Sequence, residues 1–290
     1  MLSFSGDTLM KEKNVKFKGK RMGELIFIGM GLHSEKSMSV EAVEVARKAD
    51  VIYIERYTSI MPGLSMKRLR ELLKREDIIE LHRKDLEDYS YKVIEEAMRK
   101  KVVILIPGDP FIATTHMALR IEAERKGIKT RVIHGVSILT AIPGVTGLHA
   151  YKFGRTVTVV FPEDGRYSET PYDVTKENLK CKLHTILLLD IRVEEGRIMT
   201  INDAINILRE LERRRGEGIF TDERLIVGIA RAGSPDVLVR ANTLSEISNI
   251  DFGPPPHCIV VPGPLHFTEA EALMVLAKAP EDIVLNMVIR

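Results

Sequence analysis

The sequence lacks several features that would indicate particular classes of protein. Its 290 residues include two cysteines, Cys181 and Cys258, which are too few for a disulfide framework or a cysteine-based zinc site. No apolar run approaches the roughly 18 residues that a membrane-spanning helix requires, which excludes a transmembrane protein. The 43 basic and 41 acidic residues nearly cancel, so the chain has no basic field for nucleic acid, although a local basic patch stays compatible with this balance.

Glutamine is absent altogether, whereas lysine, arginine and glutamate are abundant. Loss of amide side chains together with a highly charged surface is typical of heat-stable proteins, and we predict high thermal stability. A compositional bias of the genome is the alternative explanation. With 44% hydrophobic and 29% charged residues, the chain can bury a large core, and we expect a soluble, cytoplasmic protein.

The chain divides into a leader and two predicted domains. Residues 1–21 are polar and basic and lack the apolar stretch of a secretory signal, so we predict a disordered leader, with an over-long start assignment and a true start at Met22 as the alternative. Residues 22–134 alternate between five short apolar runs and helical segments, which predicts an α/β domain with a parallel sheet. Residues 135–290 have longer strands and fewer crossovers, which predicts a mixed-sheet α+β domain. Two such domains usually bind a ligand in the crevice between them.

Individual elements follow from local patterns. Ser39 is a predicted N-cap for a helix whose apolar residues Val40, Val43 and Ala46 share one face. Four strands are predicted in the second domain, at 155–163, 184–191, 225–233 and 257–263, with helices around 200–215 and 268–278.

The first candidate site is Gly29-Met30-Gly31, at the end of the first strand. Glycines there permit close backbone approach to a ligand, and Glu55, at the end of the second strand, has the spacing of a ribose-binding acid in a dinucleotide site. The third glycine of that motif is missing, and the helix capped by Ser39 begins too late to hold a pyrophosphate. A dinucleotide site and a tight turn without a ligand are both open interpretations.

Two further strand ends carry small and polar residues. Pro107-Gly108-Asp109-Pro110 follows the fourth strand and holds a carboxylate at the crevice side of the sheet, although Asp109 could instead cap the helix predicted at 113–126. Gly135-Val136-Ser137-Ile138 follows the fifth strand and directs backbone N–H groups into the crevice. This segment is not a G-x-S-x-G elbow, because Leu139 occupies the last position.

The histidines give weaker signals. No two of the eight lie four residues apart with a third ligand nearby, and H-E-x-x-H is absent, so we predict no metal site. His116 and His149 are candidate bases, but a lone histidine is more often a packed or capping residue. We therefore nominate no catalytic base.

Longer motifs carry a resemblance to a known family. They are GMGL (29–32), PGDPFIATTH (107–116), GVSILTAIPGVTGLHAYKFGR (135–155), LHTILLLDI (183–191), FTDERLIVGIARAGS (220–234) and FGPPPHCIVVPGPLHFTEAEAL (252–273). Together they resemble the diphthine-forming branch of the tetrapyrrole-methylase-like methyltransferases, the class III enzymes that depend on S-adenosylmethionine. The resemblance extends from about Met22 to the C-terminus. One departure is Pro143, which is expected to lengthen the loop before Gly144.

The resemblance implies a site and a reaction. S-adenosylmethionine would lie in the crevice between the domains, held by Leu32, Asp109, Ile112, Ser137, Ile138, Leu189, Ala232 and His257. The implied substrate is a histidine of translation elongation factor 2 that carries a 3-amino-3-carboxypropyl group, whose amino nitrogen is methylated repeatedly. The resemblance also implies a homodimer that acts without membrane or nucleic acid. A methyltransferase acting on a tetrapyrrole ring is the alternative.

Overall fold

Five short apolar strands form the first sheet of the computed structural model, which describes residues 23–289. They pair in the order β3-β2-β4-β1-β5, and every pair is parallel; the strands are β1 (Glu24–Gly29), β2 (Val51–Glu55), β3 (Ile78–Leu81), β4 (Lys101–Ile106) and β5 (Lys129–Ile133). Because β1 and β4 are central, almost all of their residues are buried. The predicted parallel sheet is confirmed, whereas the predicted leader lies outside the described residues.

Helices cover both faces of this sheet. They are α1 (Val40–Arg47), α2 (Met66–Leu73), α3 (Arg83–Glu87), α4 (Tyr91–Ala97) and α5 (His116–Arg125). On one face α1 and α2 pack on Ile26 and Ile52, and on the other α4 and α5 pack on Phe27 and Ile104. The hydroxyl of Ser39 accepts the N–H of Ala42, which confirms the predicted cap.

The predicted face of α1 is confirmed for Val43 and Ala46 but is wrong for Val40. Ala46 is fully buried and Val43 packs partly buried against the sheet, whereas Val40 is 76% exposed and Ala42, one turn from Ala46, is fully buried. A helix that packs closely on a sheet is turned so that its small residues face the strands, and this brings Ala42 rather than Val40 to the contact.

The second sheet is mixed. The strands that follow β5 are β6 (Val157–Val159), β7 (Thr185–Leu189), β8 (Ile191–Arg192), β9 (Arg197–Ile198), β10 (Leu225–Ala230), β11 (Leu238–Thr243) and β12 (His257–Val261). Five of them form the sheet in the order β11-β10-β12-β7-β6, antiparallel except for the parallel pair β6-β7, and β8 and β9 form a separate ribbon. The mixed sheet is confirmed as predicted, with β11 as an additional edge strand.

In the described residues that follow β5, the α-helices are α6 (Ile138–Thr146), α7 (Thr170–Lys180), α8 (Ile201–Arg215), α9 (Leu244–Ile247), α10 (Phe267–Ala277) and α11 (Glu281–Leu285). Helices α8 and α10 confirm the two predictions for this region. Pro143 does not lengthen a loop, because it lies inside α6, which continues to Thr146. Within residues 23–289, none of the helices is long and apolar enough to cross a membrane.

A buried carboxylate holds the start of α10 to the rest of the second sheet. Glu269 is completely buried, and it accepts backbone N–H groups from His149 and His266 at 2.8 Å each. The Lys152 ammonium also contacts it. Since His184 Nδ1 accepts the N–H of Gly263, the proton of that ring is on Nε2, which donates to Glu269 at 3.0 Å.

Candidate functional site

The carboxyl ends of β1, β4 and β5 form the floor of a cleft that opens toward the second sheet. Two glycines, Gly29 and Gly135, allow these strand ends to approach closely. A Cβ atom on Gly29 would lie 2.5 Å from the carbonyl oxygen of Gly108, and one on Gly135 would lie 2.2 Å from the same oxygen. Gly31 and Gly108 also exchange two backbone hydrogen bonds, so the loop after β1 and the loop after β4 are fixed to each other.

Asp109 is held in place by two neighbouring segments. Its Oδ1 accepts the N–H of Phe111 at 3.1 Å, and its Oδ2 lies 2.7 Å from Nδ1 of His134, at the end of β5. The alternative role as a helix cap is wrong, because the helix begins only at His116, seven residues later. The carboxylate is therefore fixed at the edge of the cleft.

All eight residues that the resemblance assigns to the cofactor line this cleft, whose volume is about 290 Å³. The loops after β1 and β4 and the start of α6 provide Leu32, Asp109, Ile112, Ser137 and Ile138, and the second sheet provides Leu189, Ala232 and His257. The two sides are in contact, since a Cβ atom on Gly233 would lie 2.9 Å from that of Leu32. The structure thus brings the whole predicted set together.

The second-sheet wall depends on Arg231. Its guanidinium donates to the carbonyl oxygens of Phe252 and Pro254 at 2.6 and 2.7 Å, which fixes the turn before β12. His257, the first residue of β12, accepts the N–H of Ile201 on Nδ1, so the proton of its imidazole ring is on Nε2. Burial lowers the pKa of His257, which keeps the imidazole neutral at neutral pH.

Glu55 does not act as a ribose-binding acid, and the dinucleotide interpretation is wrong. Its carboxylate is completely buried and accepts the N–H groups of Tyr57 and Thr58, at 3.1 Å each, and the Thr58 hydroxyl. Burial raises the pKa of Glu55. Because Tyr57 and Thr58 line the cleft, Glu55 shapes the wall from behind without reaching the cavity.

Neither candidate histidine lines the cleft. The buried His116 ring donates from Nδ1 to the carbonyl oxygen of Pro110, and its Nε2 lies 3.8 Å from Glu55. Burial lowers the pKa of His116 to about 4, so the ring is neutral at neutral pH. The Nε2 atom of His149 lies within hydrogen-bond distance, 3.0 Å, of the hydroxyl of Thr268 in α10. Within the described part of the chain, no group of three or more histidine, cysteine or acidic side chains is placed to hold a metal ion.

Among the cleft residues that sequence reasoning missed are Tyr57, Thr58, Arg83 and Asp190. Asp190 had a signal, because it ends the apolar run of β7 much as Asp109 follows that of β4. Its Oδ2 accepts the N–H of Phe161 at 3.1 Å and Nε of Arg192 at 3.0 Å. The other three lie after β2 and β3, where no residue pattern distinguishes them from ordinary loop positions.

Residues 24–248 of the chain match the family "Tetrapyrrole (Corrin/Porphyrin) Methylases". The chain is 45% identical over 259 residues to diphthine synthase of Methanosphaera stadtmanae, covering 89% of this chain and 98% of the relative. It is also 45% identical over 256 residues to that of Methanocaldococcus jannaschii, covering 88% and 99%.

Solved structures agree with the sequence relatives. A crystal structure of diphthine synthase superimposes with a TM-score of 0.83 at 42% identity, covering 91% of this chain and all of the other. A putative diphthine synthase from Entamoeba histolytica gives a TM-score of 0.79 at 32% identity, covering 89% and 100%. The chain therefore belongs to the tetrapyrrole methylase family and, within it, to the diphthine synthases.

Proposed function

We propose that this methyltransferase binds S-adenosylmethionine in the cleft and methylates a modified histidine of translation elongation factor 2. The methylated atom would be the amino nitrogen of a 3-amino-3-carboxypropyl group on that histidine. One observation carries the proposal: a single cleft gathers the strand-end loops of the first sheet and residues from the second sheet, in a chain that is 45% identical to diphthine synthases.

The cleft suits such a cofactor chemically. Leu32, Ile138 and Leu189 provide apolar surface for a purine ring, with the small side chain of Ala232 beside them. Asp109 offers a fixed carboxylate for hydroxyl or ammonium groups of the ligand. A cofactor of mixed polarity therefore has complementary groups on both sides of the cleft.

The protein contributes to the reaction mainly by positioning the amine and the methyl group. The bound cofactor supplies a methyl group on a sulfonium, which is already a good leaving group. Holding an amine in line with that methyl group and excluding water replaces a bimolecular encounter with an oriented one. The closely packed backbone at Gly29, Gly108 and Gly135 gives the rigidity that this alignment requires. The amine must lose a proton before each transfer.

Mass spectrometry of elongation factor 2 tests the reaction. The factor, carrying the 3-amino-3-carboxypropyl histidine, is incubated with the enzyme and S-adenosylmethionine, and its histidine peptide is analysed. A gain of methyl groups on the side-chain nitrogen is expected. Methylation of a precorrin instead would favour the tetrapyrrole alternative, and methylation of neither would refute the proposal.

Calorimetry with S-adenosylhomocysteine tests the cofactor site. A hydrogen bond to a charged group contributes about 1.5–3 kcal/mol, so Asp109→Asn is expected to weaken binding about 10- to 100-fold. Asp164→Asn is the matched control, since that side chain is 88% exposed on a turn. Equal affinities for the two variants would show that Asp109 does not bind the cofactor.

We propose further that two copies associate in the cytoplasm, where the substrate factor works. An exposed cluster of aromatic and histidine side chains supports an interface between the two copies. Tyr151 is 83% and Phe267 64% exposed, and they are joined through His149 and His266, whose ring centroids lie 5.3 Å apart. Sedimentation equilibrium of the purified chain is expected to give a dimer, and a monomer at micromolar concentration would contradict it.

A further inference from the structure

A second cavity opens directly beside the cofactor cleft. Three residues line both spaces, namely Tyr57, Arg83 and Asp190, so the two cavities adjoin. The remaining wall of the second cavity comes from the end of the second sheet and the β8-β9 ribbon and includes Val160, Arg192, Val193, Glu194 and Glu195. A group bound in the second cavity would therefore lie next to the cofactor.

The two arginines of this cavity differ in position, because Arg83 lines both cavities whereas Arg192 lines only the second. Arg192 pairs with Asp190 and Glu163 at 3.0 Å each. Arg83 lies at the junction of the cavities, with its guanidinium carbon 5.2 Å from the centre of the Tyr57 ring. The backbone N–H of Arg83 donates to Glu194 at 3.1 Å, which fixes the start of α3 to the opposite wall.

We propose that Arg83 binds the carboxylate of the substrate's 3-amino-3-carboxypropyl group in this second cavity, an inference that rests on the proposed function. Guanidinium groups bind carboxylates through paired, charge-assisted hydrogen bonds of fixed geometry. The carboxylate and the methylated nitrogen are attached to the same carbon atom. A residue that holds the carboxylate beside the cleft thereby fixes the nitrogen close to the cofactor.

The other walls favour the same ligand chemistry. The wall has three carboxylates, Asp190, Glu194 and Glu195, against two arginines, and this balance disfavours a polyanion such as a phosphate more than a zwitterion. The Tyr57 ring, which lines both cavities, offers an aromatic surface for an imidazole. A carboxylate, an amine and an imidazole therefore each have a complementary group in the cavity.

Two small molecules separate the carboxylate contact from general packing. One is an imidazole bearing the 3-amino-3-carboxypropyl group, and the other bears a 3-aminopropyl group and lacks only the carboxyl. Their binding to enzyme saturated with S-adenosylhomocysteine is measured by calorimetry for wild type, Arg83→Gln and Arg83→Lys. The control is Arg56→Gln, a nearby exposed arginine that pairs with Glu80 and lines neither cavity.

The carboxylated compound is expected to bind wild type about 10- to 100-fold more tightly than the decarboxylated one. Arg83→Gln should abolish that discrimination, Arg83→Lys should retain part of it, and the control should keep all of it. Because Arg83 also lines the cofactor cleft, each variant is saturated with S-adenosylhomocysteine at its own measured affinity, and Arg56→Gln should bind that compound as wild type does. Equal weakening of both compounds by Arg83→Gln, or no preference in wild type, would overturn the proposal.

Kinetics with elongation factor 2 distinguish this inference from the proposed function. Arg83→Gln is expected to lower kcat/KM for the modified factor by about 10- to 100-fold. If wild type methylates the factor and the variant does so equally well, the Arg83 contact alone is refuted. If wild type does not methylate the factor, the proposed function fails as well.

Discussion

Replacing Glu269 by glutamine tests how much of the fold depends on one buried charge. The carboxylate is completely buried at the start of α10, where it joins the Lys152 ammonium, the His184 ring and two backbone N–H groups. Burial alone would raise its pKa, but the hydrogen bonds from His184, the His266 N–H and Lys152 outweigh burial and hold the pKa of Glu269 far below its usual range. Glutamine keeps the size and one acceptor oxygen but removes the charge.

The expected loss of stability follows from the Lys152 charge, which the substitution leaves without its partner. Breaking a buried ion pair by removing one partner costs about 3–5 kcal/mol, because the remaining charge stays buried without compensation. The Lys152 side chain is 18% exposed and can reach some water, which reduces that cost. We expect Glu269→Gln to lower the free energy of unfolding by about 2–4 kcal/mol, measured by urea denaturation at pH 7.

The pH dependence gives an independent check. A carboxyl with a lowered pKa in the folded state stabilises the protein above its unfolded pKa, about 4.5, and this contribution is lost as pH falls through the lower, folded pKa. The difference between wild type and Glu269→Gln should therefore shrink by about 1 kcal/mol between pH 4.5 and 3.5.

Glu271→Gln is the matched control, because Glu271 lies on the same helix and is exposed. It should change the free energy of unfolding by less than about 0.5 kcal/mol. A loss below about 1 kcal/mol for Glu269→Gln, or the same pH dependence as wild type, would refute the reasoning about the buried charge.

Two other predictions concern the strand ends and the whole chain. Gly135→Ala should weaken S-adenosylhomocysteine binding at least tenfold in calorimetry, because its Cβ would lie 2.2 Å from the Gly108 carbonyl oxygen; Gly144→Ala, with open space around it, should bind normally. If Gly135→Ala binds as wild type does, the strand ends are not rigid. Scanning calorimetry should give a Tm above about 65 °C, and an ordinary value of about 45–65 °C would contradict the interpretation of the missing glutamine.

The sequence predicted the central strands well, because residues buried on both faces leave continuous apolar runs. It missed β11, since this edge strand alternates the buried Val239 and Ala241 with the polar Arg240 and Asn242 and has no continuous apolar run. The face of α1 depends on how the helix is turned on the sheet, and that is a property of packing rather than of periodicity. The boundary between the two domains at residue 134 stays a prediction.

The same distinction applies to the site. Motifs at strand ends could be predicted, because the carboxyl ends of parallel strands meet at one edge and glycines or a carboxylate there are visible in the sequence. Arg83 could not, since it belongs to a short polar helix and reaches the cavity only when β3 lies at the sheet edge and Glu194 approaches from the other side. Its place depends on contacts between segments 111 residues apart.

Repeated methylation gives a reason for holding the carboxylate rather than the amine. Each transfer replaces an N–H of the substrate by a methyl group, so hydrogen bonds made to the nitrogen are lost one after another. A contact between Arg83 and the neighbouring carboxylate is unchanged by these steps and can present the same nitrogen each time. Arg83→Gln should therefore slow every methyl transfer by a similar factor. If Arg83→Gln slowed only the first transfer, the contact that positions the substrate would be made to the amine and not to the carboxylate.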